Sequence, residues 1–141
     1  MRTTPTLQKN KVVVQYAVPR RGVPGASSLR AWARAAGSLA VTLRIVGARE
    51  GRGLNQHYRK KNYATNVLSF HSGDIVLCHP VIVREARAQG KSVRAHYAHL
   101  VVHGMLHLQG YAHGKRMESR EIRVLQRFGL RNPYTLESAG A

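Results

Sequence analysis

Apolar and polar positions change period several times along this chain, and each change marks an element. KVVVQYAV, residues 11–18, gathers β-branched and aromatic residues up to Pro19 and predicts a strand, and PRRGVPG breaks the pattern with prolines and glycines. In SSLRAWARAAGS the period lengthens: Leu29, Trp32, Ala33 and Ala36 share a helical face, serine stands at the start and Gly37 at the stop. AVTLRIV, residues 40–46, alternates as a half-buried strand does, and GAREGRG behind it predicts a turn. LNQHYRKKNYATN predicts a short helix running into a loop. NVLSF (66–70) and DIVLC (74–78), joined by a tight HSG, predict a hairpin.

The second half is helical. HPVIVREARAQG has its proline in the first turn and Gly90 at its end. From Val93 a longer helix carries Leu100, Val101, Met105, Leu106 and Leu108, with Gly110 placed to stop it. A last helix is predicted over Met117–Phe128, ended by Gly129, and residues 135–141 form a tail. This order predicts an α+β fold, a small mixed four-stranded sheet packed with about five helices in a single domain over residues 1–134. A chain of 141 residues buries roughly two thirds of its unfolded surface, enough for one core.

Charge narrows the class of partner. Lys and Arg number 23 against 6 Asp and Glu, a formal net charge of +17. A compact body this basic repels itself and attracts polyanions, nucleic acid first and anionic membrane second. No apolar run approaches the roughly 18 residues of a membrane span. MRTTPTLQKNK has no apolar segment behind it of the kind a secretory signal needs, so a soluble, cytoplasmic protein is expected. Cys78 is the only cysteine, which excludes an internal disulfide and a cysteine-rich zinc site. Any metal would be held by histidine.

HGMLHLQGYAH, residues 103–113, offers the histidines for it. His103 and His107, four apart on a helix, present their rings one turn above each other. His113 joins them if the chain reverses at Gly110. The spacing HxxxHxxGxxH matches the ligand set of a zinc protease of the metzincin type, three histidines with an open fourth position, but Gly104 stands where the catalytic glutamate belongs. Peptide hydrolysis by that route is not expected, whereas polarising a water or binding a phosphoryl oxygen stays open to the same ligand geometry. The blander reading is a polar face, since His96, His99, His103 and His107 share one arc; His99 is also open as a supporting or replacement ligand. Arg116, Arg120, Arg123 and Arg127 form a stripe on the last helix opposite Met117, Leu125 and Phe128, tempered by Glu118 and Glu121. Arg30, Arg34, Arg84, Arg87, Lys91 and Arg94 extend the basic theme, and Tyr58, Tyr63, Tyr97 and Tyr111 are candidate stacking platforms.

These motifs resemble a known family. HGMLHLQGYAH is similar to the HGxLHLxGYDH signature of the YbeY family, bacterial metal-dependent endoribonucleases of ribosomal RNA maturation. LNQHYRKKNYATNVLSF resembles the family's LNxxYRxKDxxTDVLSF, GDIVLC its GDIVIC, and MESREIRVLQRFGLRNPY its terminal helix and PY end, in the family's order over most of residues 40–134. The resemblance implies one zinc ion on His103, His107 and His113. It implies a catalytic role for Arg59 at the scissile phosphate, and a single-stranded RNA substrate cut during maturation of the 16S rRNA 3′ end. It further implies small-subunit ribosomal RNA and ribosomal proteins as candidate partners. Among the chain's departures from the family, three bear on the expected cleft. Ala112 replaces the aspartate of GYDH, and loss of a carboxylate supporting a ligand weakens metal affinity or activity by roughly 10- to 100-fold. The links Phe70–Gly73 and His113–Met117 are shorter than the family's. These departures leave a ribosome-associated RNA-binding factor with a structural metal as the alternative.

Overall fold

The computed structural model describes residues 11–135. The N-terminal residues 1–10 and all but the first residue of the expected tail lie outside the described residues. In chain order the elements are β1 (Val12–Tyr16), α1 (Ala26–Ala36), β2 (Val41–Val46), α2 (Ala48–Arg59), β3 (Val67–Phe70), β4 (Asp74–Cys78), α3 (His79–Ala88), α4 (Val93–Leu108) and α5 (Lys115–Gln126). The strands form one sheet in the order β1-β2-β4-β3, parallel except for the β3–β4 pair. The expected α+β fold, four strands and five helices, is what forms.

Strand alternation sends successive side chains to opposite faces. Leu43, Ile45, Ile75 and Leu77 join the main core with Leu29 and Trp32 of α1, Tyr97, Val101 and Met105 of α4, and Met117, Val124 and Leu125 of α5. Val46, Leu68, Val76 and Cys78 face the other way into a smaller cluster with Leu54 of α2 and Val81 of α3. The sheet thus separates α1, α4 and α5 from α2.

One expectation is corrected. GAREGRG, read as a turn, is instead the start of α2. Gly51 is buried where α2 crosses β4, and a Cβ there would stand 2.9 Å from Cys78 Sγ. Its glycine serves close packing, so the residue that looked like a break is the condition for the helix to lie against the sheet. Cys78 is buried in that contact, and burial pushes its thiol pKa up, away from reactivity. Smaller differences occur at α5, which begins two residues earlier than predicted, and at Phe128, which is 37% exposed rather than packed.

Candidate metal centre

α4 is the longest helix and is buried along most of its length. Ser92 caps it by accepting from the Ala95 N–H, and its C-terminus closes with Tyr111 N–H on the Leu106 carbonyl and Gly110 N–H on the His107 carbonyl. That closure requires the left-handed backbone of Gly110, φ +95°. The chain turns back there, as the sequence reading requires, and His113 returns beside His107.

The three imidazoles meet at their Nε2 atoms. His107 Nε2 lies 3.1 Å from His103 Nε2 and 3.1 Å from His113 Nε2. Two nitrogens at about 2.05 Å from a tetrahedral zinc stand roughly 3.3 Å apart, so the spacing fits one shared ion. The opposite ring nitrogens show what these contacts are. His103 Nδ1 is 2.6 Å from Glu121 Oε2, and His107 Nδ1 is 3.0 Å from the Tyr111 carbonyl. Both partners only accept, so each Nδ1 carries the proton and each Nε2 presents a lone pair. Two facing lone pairs repel, and a cation between them resolves the repulsion. Burial and the neighbouring His103 lower the His107 pKa, which keeps its ring neutral and available as a ligand.

Glu121 corrects the sequence reading. It does not temper a wet arginine stripe: it is 0% exposed, on the face of α5 shared with Met117, Val124 and Leu125. Its carboxylate accepts from His103 Nδ1, from His99 Nε2 at 3.4 Å and from the Tyr134 hydroxyl. Burial pushes its pKa up, and those hydrogen bonds outweigh burial and hold it at about 2. Burial and Glu121 together raise the Tyr134 pKa, so the phenol stays a donor. His99, His103 and Glu121 form a second group with metal-ligand geometry. His103 already turns its Nδ1 to Glu121 and its Nε2 to the other histidines, so this group supports the first site. Glu121→Gln keeps the shape and removes the charge; metal affinity measured by chelator competition is expected to fall about 10- to 100-fold.

The arc of four histidines therefore divides. His96 is buried and bonds Glu85 at 2.8 Å, His99 braces Glu121, and His103 and His107 face the shared point with His113. Among the described residues no carboxylate contacts His113, which is exposed, in keeping with Ala112. Gly104 faces the sheet: an added Cβ would stand 3.0 Å from Ser69 Oγ and 3.1 Å from Ile75 Cγ2. A side chain at 104 would be driven into the core rather than toward the histidines. Arg59 is exposed at the last turn of α2 and makes no hydrogen bond or ion pair among the described residues. Its neighbour Tyr58 packs edge-on against Phe70 at 5.0 Å, which sets this end of α2 beside β3, the strand whose Ser69 touches Gly104. Arg116, Arg123 and Arg127 of the stripe are exposed, and Arg120 is partly so.

The comparisons decide the family. Residues 26–132 match the family described as Endoribonuclease YbeY. The chain belongs to the YbeY family. It is 44% identical to Endoribonuclease YbeY of Stenotrophomonas maltophilia (strain R551-3), across 89% of this chain and 94% of that protein. It is 51% identical to the one from Aromatoleum aromaticum, across 79% and 81%. The first alignment spans 151 positions, more than this 141-residue chain contributes, so the relative carries residues this chain lacks. The solution structure of TM1509 from Thermotoga maritima shares the fold, with TM-score 0.55 and 23% identity over 82% of this chain and 87% of that one. No helix among the described residues is long and apolar enough to cross a membrane.

Proposed function

We propose that this chain is a zinc-dependent endoribonuclease that cuts single-stranded RNA, with the 3′ end of 16S ribosomal RNA as its substrate in ribosome biogenesis. The observation that carries the reading is the convergence of three Nε2 atoms, two of which have their opposite nitrogens committed as donors. His103, His107 and His113 would hold the ion. When bound, it supplies Lewis-acid polarisation of a phosphoryl oxygen. Glu121 and the Tyr111 carbonyl fix the tautomers of two ligands. Arg59 neutralises charge growing on the scissile phosphate, and the α5 stripe draws in the backbone on either side. With Gly104 packed against Ser69, the chain has no side chain at that position to serve as a base, which argues against a peptidase.

The test compares cleavage of a labelled single-stranded RNA with that of the same sequence in a duplex. The expected result is cleavage of the single strand, loss with chelator, and recovery with added zinc. Arg59→Ala should lower kcat/KM by about 100- to 1,000-fold, the scale of one lost charge-stabilising donor. Cleavage indifferent to chelator contradicts the proposal. Binding without cleavage in the presence of zinc supports instead the ribosome-associated factor with a structural metal.

A further inference from the structure

On the far side of the sheet from α4, a cavity of about 890 Å³ opens between α2 and α3. Arg49, Arg52 and Gln56 line it from α2, Asn62 and Tyr63 from the following loop, and Arg84 from α3. None of the three guanidinium groups makes a hydrogen bond or ion pair with a described residue. The nearby acids are engaged elsewhere: Glu50 holds Arg44 at 2.7 Å, and Glu85 accepts from Asn66 and His96. Among the described residues no acid lines the cavity. The first turns of α2 and α3 also open on it, and neither carries a capping side-chain hydrogen bond. Tyr63 is 56% exposed, and among the described residues its ring packs against no other ring.

We infer that this cavity is a second RNA-binding site, taking a nucleotide of the single strand by its phosphates and its base. Unpaired arginines beside an exposed aromatic ring are what a single strand requires: cations for the phosphodiesters and a face for stacking. Gln56 and Asn62 add amides able to meet base edges. An acidic peptide would use the arginines and leave Tyr63 without a function. The site is also connected to the metal centre's side of the molecule. Arg49, Arg52, Gln56 and Arg59 follow one another at intervals of three, four and three on the exposed face of α2. The stripe runs about 15 Å along the helix, from the cavity to Arg59. RNA anchored at Tyr63 is led along α2 toward the strand edge beside α4.

The inference rests on RNA being the substrate, and one experiment separates the two. Anisotropy of a labelled 2′-O-methyl oligouridine is followed over a range of salt with the zinc-loaded protein and its variants. The joint variant Arg52→Ala, Arg84→Ala should flatten the dependence of log K on log salt by about 1.4, at about 0.7 for each lost single-strand phosphate contact. Tyr63→Ala should weaken binding about 5- to 100-fold with its salt slope unchanged, and Tyr63→Phe should bind as the parent does. All three positions are exposed, so folding is retained, as a thermal melt would verify. If the parent binds and either the slope of the arginine variant or the affinity of Tyr63→Ala is unchanged, the second site is overturned and the RNA reading stands. If the parent binds no oligonucleotide, both fall.

Discussion

His107→Ala is expected to abolish cleavage of single-stranded RNA, by at least about a thousandfold, while leaving the protein folded. His107 is the middle histidine of the cluster, with its Nε2 3.1 Å from each of the other two. Without it only His103 and His113 would remain to hold an ion. The several kcal/mol of transition-state stabilisation that a polarising cation supplies are then lost, and about 4 kcal/mol corresponds to that thousandfold. Its ring is only partly buried and its one backbone partner is the Tyr111 carbonyl, so a melting temperature within a few degrees of the parent's is expected. Steady-state cleavage beside a thermal melt reads both. A variant that still cleaves at a tenth of the parent rate would show that the histidines are not the reaction centre.

Gly104→Glu should have the largest effect on stability. The substitution restores the protease pattern in sequence, but the structure gives the carboxylate nowhere to go. Its Cβ would press on Ser69 Oγ at 3.0 Å and Ile75 at 3.1 and 3.2 Å, and both neighbours belong to the sheet. Overpacking costs about 1–3 kcal/mol, and a buried carboxylate without a partner adds more. A total near 4 kcal/mol lowers Tm by roughly 15 °C in a domain of this size. Gly104→Ala should show the packing cost alone. Neither variant should acquire peptide hydrolysis, which a quenched peptide substrate would check. A stable Gly104→Glu protein would mean that α4 does not lie on β3 and β4 as described.

The close approach at Gly104 also shows what one chain's sequence can and cannot reveal. The histidine spacing already implied that the three rings converge, because positions four apart and a glycine reversal are local geometry. The missing glutamate was equally visible. Its cause was not, since Ser69 lies 35 residues away and meets Gly104 only through the sheet. Gly51 carries the same lesson in reverse. Two glycines in AREGRG look like a turn until Cys78 is brought against the first of them, Gly51. Glu121 left a trace that was available: it stands four residues after Met117 and three before Val124, a single acid on an otherwise apolar face. Such an acid needs hydrogen-bond donors, and His103 is one of them. Tyr134 was visible only in the resemblance of the PY end, because its contact with Glu121 depends on how the chain folds back after α5. Arg59 is a different case, singled out by family resemblance and left exposed, with no side-chain hydrogen bond or ion pair among the described residues.

Metal titration of the metal-stripped protein tests the central claim most directly. Cobalt(II), added stepwise and followed by its visible absorption, should saturate at one ion per chain with the intense bands of a four-coordinate site, and zinc should displace it. His103→Ala, His107→Ala and His113→Ala should each lose that signal. A protein that binds no ion, or binds one equally well without any of these histidines, would contradict the account.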